Sequence, residues 1–308
     1  MRVRETFDST ILRDFYQGRE TPIDREQDEL NSRRRKFKNI LENDTDFYLL
    51  HRCTNISAGW LSMLAASVVE DFANAPKTSE PLDEQVAALA FFSRLANDLW
   101  AIIELIETGF DLQARALTRS YLEHVDALIC CIQDKELTKE FVRAVEPEDS
   151  NAFWHKYISK NKLKVRVSIF ISEKIGVQNS KLVDILREDA ELSGSMLLHP
   201  TVTAGLSTAF GNEDGDYESY PIFPTPLAAS VGILRTILIH LFWLWFAMES
   251  LPKIAAGQWR SLFLTDALQN NRELDRFANI YSKMFGFLLD NQLLMIVSDS
   301  NEVPIAGS

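Results

Sequence analysis

Apolar residues recur along this chain at intervals of three and four, interrupted by polar caps, glycines and prolines, and that period predicts helices. From Asp24 a helical pattern begins, highly charged through Arg33-Arg34-Arg35-Lys36-Phe37-Lys38 and apolar near Phe47. A second helix is expected over about 56–73, stopped by Asn74-Ala75-Pro76. Asp83 reads as the N-cap of a helix over about 84–108, and Gly109 as its left-handed C-cap. Asp111 then reads as the cap of a helix over about 112–132, with Leu117, Tyr121, Val125, Leu128 and Ile132 at core spacing. Shorter helices follow at 135–145, 148–161 and 163–175, and another at 180–198 stops at His199-Pro200.

Residues 201–226 break the period. They carry Thr201-Val202-Thr203, an Asp214-Gly215 turn signal and prolines at 221, 224 and 226, which predicts a long loop with room for a small hairpin. Loops of this length inside a compact domain often serve as lids or binding segments. An amphipathic pattern over about 258–297 closes the chain. The expected fold is all-α: a multi-helix bundle over 77–308, one long loop at about 200–226, and an N-terminal helical extension over 1–76.

The stretch Leu227 to Met248 has only Ser230, Gly232, Arg235, Thr236 and His240 among its apolar residues, and it is long enough to span a bilayer. Arg235 near a membrane centre would cost roughly 2.5–3.5 kcal/mol, which the apolar residues could offset. The flanks carry little positive charge and amphipathic helices lie on both sides. We therefore read a buried central helix rather than a membrane span.

Composition changes this picture little. A hydrophobic fraction of 46% and a charged fraction of 25% suit a globular chain with a sizeable core. The net charge of -12 opposes attraction to phosphate backbones, so RNA contact would need a local basic patch. Three cysteines, Cys53, Cys130 and Cys131, read as apolar fillers in a reducing cytoplasm rather than as a disulfide framework. No Cys/His cluster has zinc spacing, no cofactor is expected, and no signal peptide is visible.

Four patterns could carry chemistry. Arg115, Arg119 and Glu123 lie four apart on one helical stripe, followed by Asp126. The stripe is either a solvated ion-pair ladder or, turned inward, the wall of a polar pocket. His199 ends a helix, where the dipole favours its protonated form, and a proline and the long loop follow. It is either a general acid–base group or a plain C-cap. Arg235 and His240 lie in the most apolar helix; a buried guanidinium there needs a carboxylate, with Glu104, Glu123 and Asp126 as candidates. Two basic clusters could touch nucleic acid. One is Arg33 to Lys38; the other is Trp154-His155-Lys156-Tyr157 with Lys160, Lys162, Lys164 and Arg166, aromatics among cations as in single-strand binders. Either is otherwise a solvated face.

The segment Ala114-Arg115-Ala116-Leu117-Thr118-Arg119-Ser120-Tyr121-Leu122-Glu123 resembles the arginine-and-glutamate helix of an uncharacterised bacterial helical family. Leu198-His199-Pro200-Thr201, with its loop and closing apolar helix, looks like that family's second signature. The family is similar to the HEPN-like superfamily, and the resemblance covers about residues 85–250. It implies a metal-independent RNase effector of bacterial defence or toxin–antitoxin stress response, working as a homodimer whose chains pool their motifs. The superfamily's motif is an Arg, then about four to six intervening residues, then a His, often with a polar residue just after the Arg. Arg119-Ser120-Tyr121-Leu122-Glu123-His124 and Arg235-Thr236-Ile237-Leu238-Ile239-His240 both fit it, whereas His199 has no Arg at that spacing. Residues five apart on a helix point about 140° from each other, so neither pair shares a face of a regular helix. On this reading His124 or His199 moves the 2′-hydroxyl proton and Arg119 stabilises charge on phosphorus. The alternative is a non-catalytic helical module that binds a ligand or a protein partner through the polar pocket near Arg119, Glu123 and His199.

Overall fold

A computed structural model describes residues 22–74, 82–159, 161–176, 224, 226–250, 272–294, 296–298 and 301–303, with 181, 184, 185 and 188 as isolated positions. Among these the fold is all-α. The helices are α1 (Pro22–Asn43), α2 (Thr45–Asn74), α3 (Asp83–Glu107), α4 (Asp111–Gln133), α5 (Lys135–Arg143), α6 (Pro147–Phe153), α7 (Lys162–Lys174), α8 (Ser230–Ser250) and α9 (Arg272–Asp290). A π-helical turn, Trp154–Ile158, joins α6 to α7. The expected pattern to residue 297 stops earlier: α9 ends at Asp290. Beyond it β1 (Ile296–Ser298) pairs antiparallel with β2 (Asn301–Val303), Ile296 opposite Val303. The helix expected at 180–198, most of the loop at 200–226 and the segment 1–21 lie outside the described residues.

Helix boundaries follow from local chemistry. Asp44 separates α1 from α2 because its carboxylate accepts from the Phe47 amide (2.8 Å), so α2 starts well before the expected residue 56. Asp83 and Asp111, expected as caps, are instead the first residues of their helices. The α3 cap is Leu82, whose amide donates to Gln85 Oε1 at 3.0 Å. Asp111 is drawn away from capping by partners outside its own turn, described below. Gly109 does take the left-handed conformation (φ 85°), and the amides of Gly109 and Phe110 donate to the carbonyls of Ile106 and Leu105 (3.1 and 2.7 Å). That pair of bonds closes α3 and reverses the chain into α4 within three residues. Asp134 caps α5 by accepting from the amides of Glu136 and Leu137, both at 3.1 Å.

Helices α2, α3, α4 and α8 form a closed ring of neighbours, each packed on the next, with α5 on α3, α7 on α4 and α9 on α2. Helix α8 is apolar on almost every side because it has neighbours on almost every side. Ile233, Leu234 and the run Ile237–Leu244 are buried, Phe246 meets Phe170 of α7, and Phe242 and Trp245 meet Phe285 of α9. By length and composition α2, α3 and α8 could each cross a membrane; here each has a large share of its apolar surface inside the bundle. Helix α2, assigned from sequence to the N-terminal extension, contributes Trp60, Leu61 and Leu64 to the same core as α3, α4 and α8, and Trp60 stacks on Tyr281 of α9. Its buried Thr54 and Ser57 hydroxyls donate back to the carbonyls of Leu50 and Cys53 (2.8 Å each), which removes the penalty of burying them. The three cysteines are free and buried, and desolvation pushes their thiols up, Cys53 to about 11 and Cys131 to about 12.

Candidate functional site

Among the described residues the Arg115–Arg119–Glu123 stripe is held by local and surface contacts. Arg115 turns back one helical turn, its Nε donating to Asp111 Oδ2 at 2.7 Å and its Nη2 to the Ala229 carbonyl at 3.3 Å. Ser230 Oγ donates to the other Asp111 oxygen at 2.9 Å, so the pair clips the start of α4 to the start of α8. Arg119 and Glu123 sit further out, 3.8 Å apart and both partly exposed. His124 lies on the unbroken α4, its Nδ1 2.7 Å from the Ser120 carbonyl. A carbonyl only accepts, so Nδ1 carries the proton and Nε2 is the remaining ring nitrogen. Because α4 is continuous, Arg119 and His124 point to different faces of it.

Arg235 meets none of Glu104, Glu123 or Asp126. Its Nε donates to the Leu293 carbonyl (2.9 Å) and its Nη2 lies 3.6 Å from Asp46 Oδ2, because the first half of α8 faces the start of α2 and the turn after α9. The guanidinium thus reaches the surface rather than staying in the core. His240 is wholly buried five residues further on, with Nδ1 2.8 Å from the Thr236 carbonyl and its ring against the edge of Trp243. His199 and Lys160 lie outside the described residues.

The second basic cluster is largely neutralised. Lys156 pairs with Glu140 (3.2 Å), Arg166 with Asp134 (3.0 Å), and Lys164 lies 3.7 Å from both Asp184 and Glu188. Lys162 donates to the carbonyls of His155 and Lys156 (2.7 and 3.0 Å), closing the π-helical turn as a cation suits a helix C-terminus. In the first cluster Arg34 lies over the Phe110 ring, and Lys38 leaves it for the site described next.

A cavity of about 100 Å³ lies where α1 ends, α2 begins, α3 ends and the chain approaches α8, lined by Lys38, Phe47, Tyr48, His51, Arg52 and Glu107 together with Leu41, Glu42 and Pro226. His51 Nε2 is 3.0 Å from Glu107 Oε1, and Lys38 Nζ is 3.3 Å from Glu107 Oε2. Both carboxylate oxygens are therefore engaged. That matters because Glu107 is the last residue of α3, where the helix dipole disfavours a negative charge. The His51 ring stacks on Phe47 with centroids 5.5 Å apart. Its backbone carbonyl accepts from Asn55 Nδ2 at 2.9 Å, which steadies the turn. Burial pulls the His51 pKa below its ordinary 6.5, outweighing the opposing pull of Glu107, and Arg52 and Lys38 push the same way as burial. The ring is consequently neutral near pH 7. Its proton sits on Nε2 facing the carboxylate, and Nδ1 is left as an acceptor. Arg52 lies over the Tyr48 ring at 5.5 Å. The arrangement offers an oriented imidazole, a fixed guanidinium, an ammonium and aromatic walls in one small space.

Of these groups only Lys38 was a candidate by sequence, as part of the first basic cluster. One signal was present: Glu107 closes a strongly apolar helix at the end where a carboxylate needs outside compensation. Among the described residues no set of three or more His, Cys, Asp or Glu side chains is placed to hold a metal ion. None of the family models, curated proteins or solved structures compared with this chain matches it.

Proposed function

We propose that this protein is a helical binding module whose recognition site is the pocket around His51 and Glu107. The observation that carries the reading is the His51–Glu107–Lys38 chain of contacts inside walls of Phe47, Tyr48 and Leu41. Binding pockets combine apolar and aromatic walls with a few placed polar groups in this way. A small-metabolite panel screened by thermal shift tests it. A ligand at about 100 times its Kd adds roughly 2.7 kcal/mol, enough to raise Tm by several degrees. At least one compound should do so for wild type and fail with His51→Ala, provided the variant alone unfolds cooperatively. A panel without any hit, or hits indifferent to His51, counts against the reading.

A second reading keeps the resemblance to HEPN-like RNases, and with it a homodimeric effector of bacterial defence. What favours it is the fixed tautomer of His124, which leaves Nε2 as the nitrogen able to take a proton, one turn from the loosely paired Arg119. The two side chains diverge on α4, so catalysis would require a second chain to supply one of them. Incubating total RNA with the protein without added metal, beside Arg119→Ala, His124→Ala and His199→Ala, decides it. Cleavage lost in these variants establishes an RNase; intact RNA with folded protein leaves the binding module.

A further inference from the structure

Resting on the reading that the His51 pocket binds a ligand, we infer that its ligand class is a small zwitterion, a free α-amino acid held by its ammonium and carboxylate head. Among the described residues the charges lining the cavity are Lys38 and Arg52 against Glu42 and Glu107, with His51 and Tyr48 the remaining titratable groups. With the imidazole neutral these four sum to zero. A lining with charges of both signs that sum to zero disfavours a lone anion or a lone cation, because each meets as much repulsion as attraction. A dipolar ligand aligned with the charges meets attraction at both ends.

The groups left to act on a ligand divide in the same way. Glu107 has both oxygens engaged, one by His51 and one by Lys38. Among the described residues Arg52 and Glu42 form no ion pair. Arg52 lies over the Tyr48 ring, and its guanidinium N–H groups, in no ion pair, are donors for a carboxylate of the kind arginine binds bidentately. Lys38, with one contact to Glu107, keeps further N–H donors for the same carboxylate. For the ligand's ammonium the lining holds two acceptors, the Glu42 carboxylate and the unprotonated Nδ1 of His51.

Size agrees with this. An apolar cavity of about 150 Å³ admits benzene, so about 100 Å³ encloses roughly four or five non-hydrogen atoms. An ammonium, a Cα and a carboxylate make up that number. Lys38 and Tyr48 at the rim are nearly half exposed, so a short side chain can project outward past them. Large side chains would have to leave through that rim without apolar cover, which limits the class to small amino acids.

Isothermal titration of the full chain near neutral pH with alanine, glycine and serine, beside acetate, methylammonium and inorganic phosphate, tests the inference. Arg52→Gln and Glu42→Gln suit as variants because both residues are exposed and their replacement leaves the core untouched. At least one amino acid should bind, acetate and methylammonium should bind tenfold or more weakly than it, and each variant should weaken the amino acid by tenfold or more. Acetate or phosphate binding as well as the amino acid overturns the zwitterion and leaves a pocket for anions, as does an amino acid that ignores both variants. If no amino acid binds but a screened metabolite does so in a His51-dependent manner, the zwitterion falls and the binding module stands. If neither binds, both fall.

Discussion

Asp111→Ala should destabilise the protein by roughly 2–4 kcal/mol. The carboxylate is 5% exposed and accepts from Arg115 Nε at 2.7 Å and from Ser230 Oγ at 2.9 Å. Each bond to a charged group is worth about 1.5–3 kcal/mol net, and breaking a buried pair from one side typically costs about 3–5 kcal/mol. Two adjustments set the range. Arg115 is about a quarter exposed, so water partly solvates it once Asp111 is gone, which lowers the figure. Asp111 also lies in the first turn of α4, where losing a negative charge adds about 0.3–1 kcal/mol. Ser230→Ala removes only the neutral donor and should cost about 1 kcal/mol. The two effects share one oxygen pair, so the double variant should fall short of their sum by about 0.5–1.5 kcal/mol. Urea unfolding followed by far-ultraviolet circular dichroism measures all three. An Asp111→Ala variant within about 0.5 kcal/mol of wild type, or additive single effects, would show that the start of α8 is not clipped to α4 through this carboxylate.

Three further outcomes are expected. Asp134→Ala removes the cap of α5 and the partner of Arg166, and should cost about 1–2 kcal/mol in the same urea assay, with Asp134→Asn recovering most of the loss. Arg119→Ala should change stability by less than about 0.5 kcal/mol, since its contact to Glu123 is 3.8 Å long and open to solvent; a larger loss would mean Arg119 has a partner other than Glu123. His51 should make stability fall with acid. Facing Glu107, Lys38, Arg52 and Glu42, its folded pKa is below 6.5, so between the two values the unfolded chain binds more protons and stability rises with pH. The contribution is complete above about pH 6.5 and is lost as the pH falls through the lowered folded value. Denaturant midpoints measured across that window should therefore fall more steeply for wild type than for His51→Gln, and parallel curves would contradict it.

The helical period identified most of the fold because each core helix has to bury an apolar face, and that requirement is written in local spacing. Gly109 was legible for the same kind of reason: only a residue tolerant of positive φ closes α3 as this turn does. Asp111 shows where local reading stops. Its sequence position, just before an apolar run, is that of a cap, and nothing within the next four residues except Arg115 hints otherwise. What overrides the cap is Ser230, 119 positions away. Arg235 illustrates the same limit in reverse: Glu123 and Asp126 were on α4, which α8 does touch, and Glu104 on α3, yet its partner Asp46 belongs to the first turn of α2. The basic cluster over 154–166 reads as a bare positive face only while Glu140 and Asp134 are thought of as belonging to other helices.

The pocket was illegible for a reason that also bears on what it does. Lys38, His51 and Glu107 come from the ends of three helices, with Glu107 lying 56 positions from His51 and 69 from Lys38. No motif of fixed spacing can describe such a site. Its geometry is instead set by the packing of α1, α2 and α3 at one end of the bundle, and any shift of α2 along α3 moves the imidazole away from the carboxylate. Ligand affinity and the seating of α2 on α3 are therefore linked: a compound that requires the His51–Glu107 contact must also favour the packed form of these helices. A core substitution that loosens this packing, such as Leu50→Ala one residue before His51, should then weaken binding without touching the ligand. A polar change on the solvent side of α2 away from the pocket lining should leave it alone.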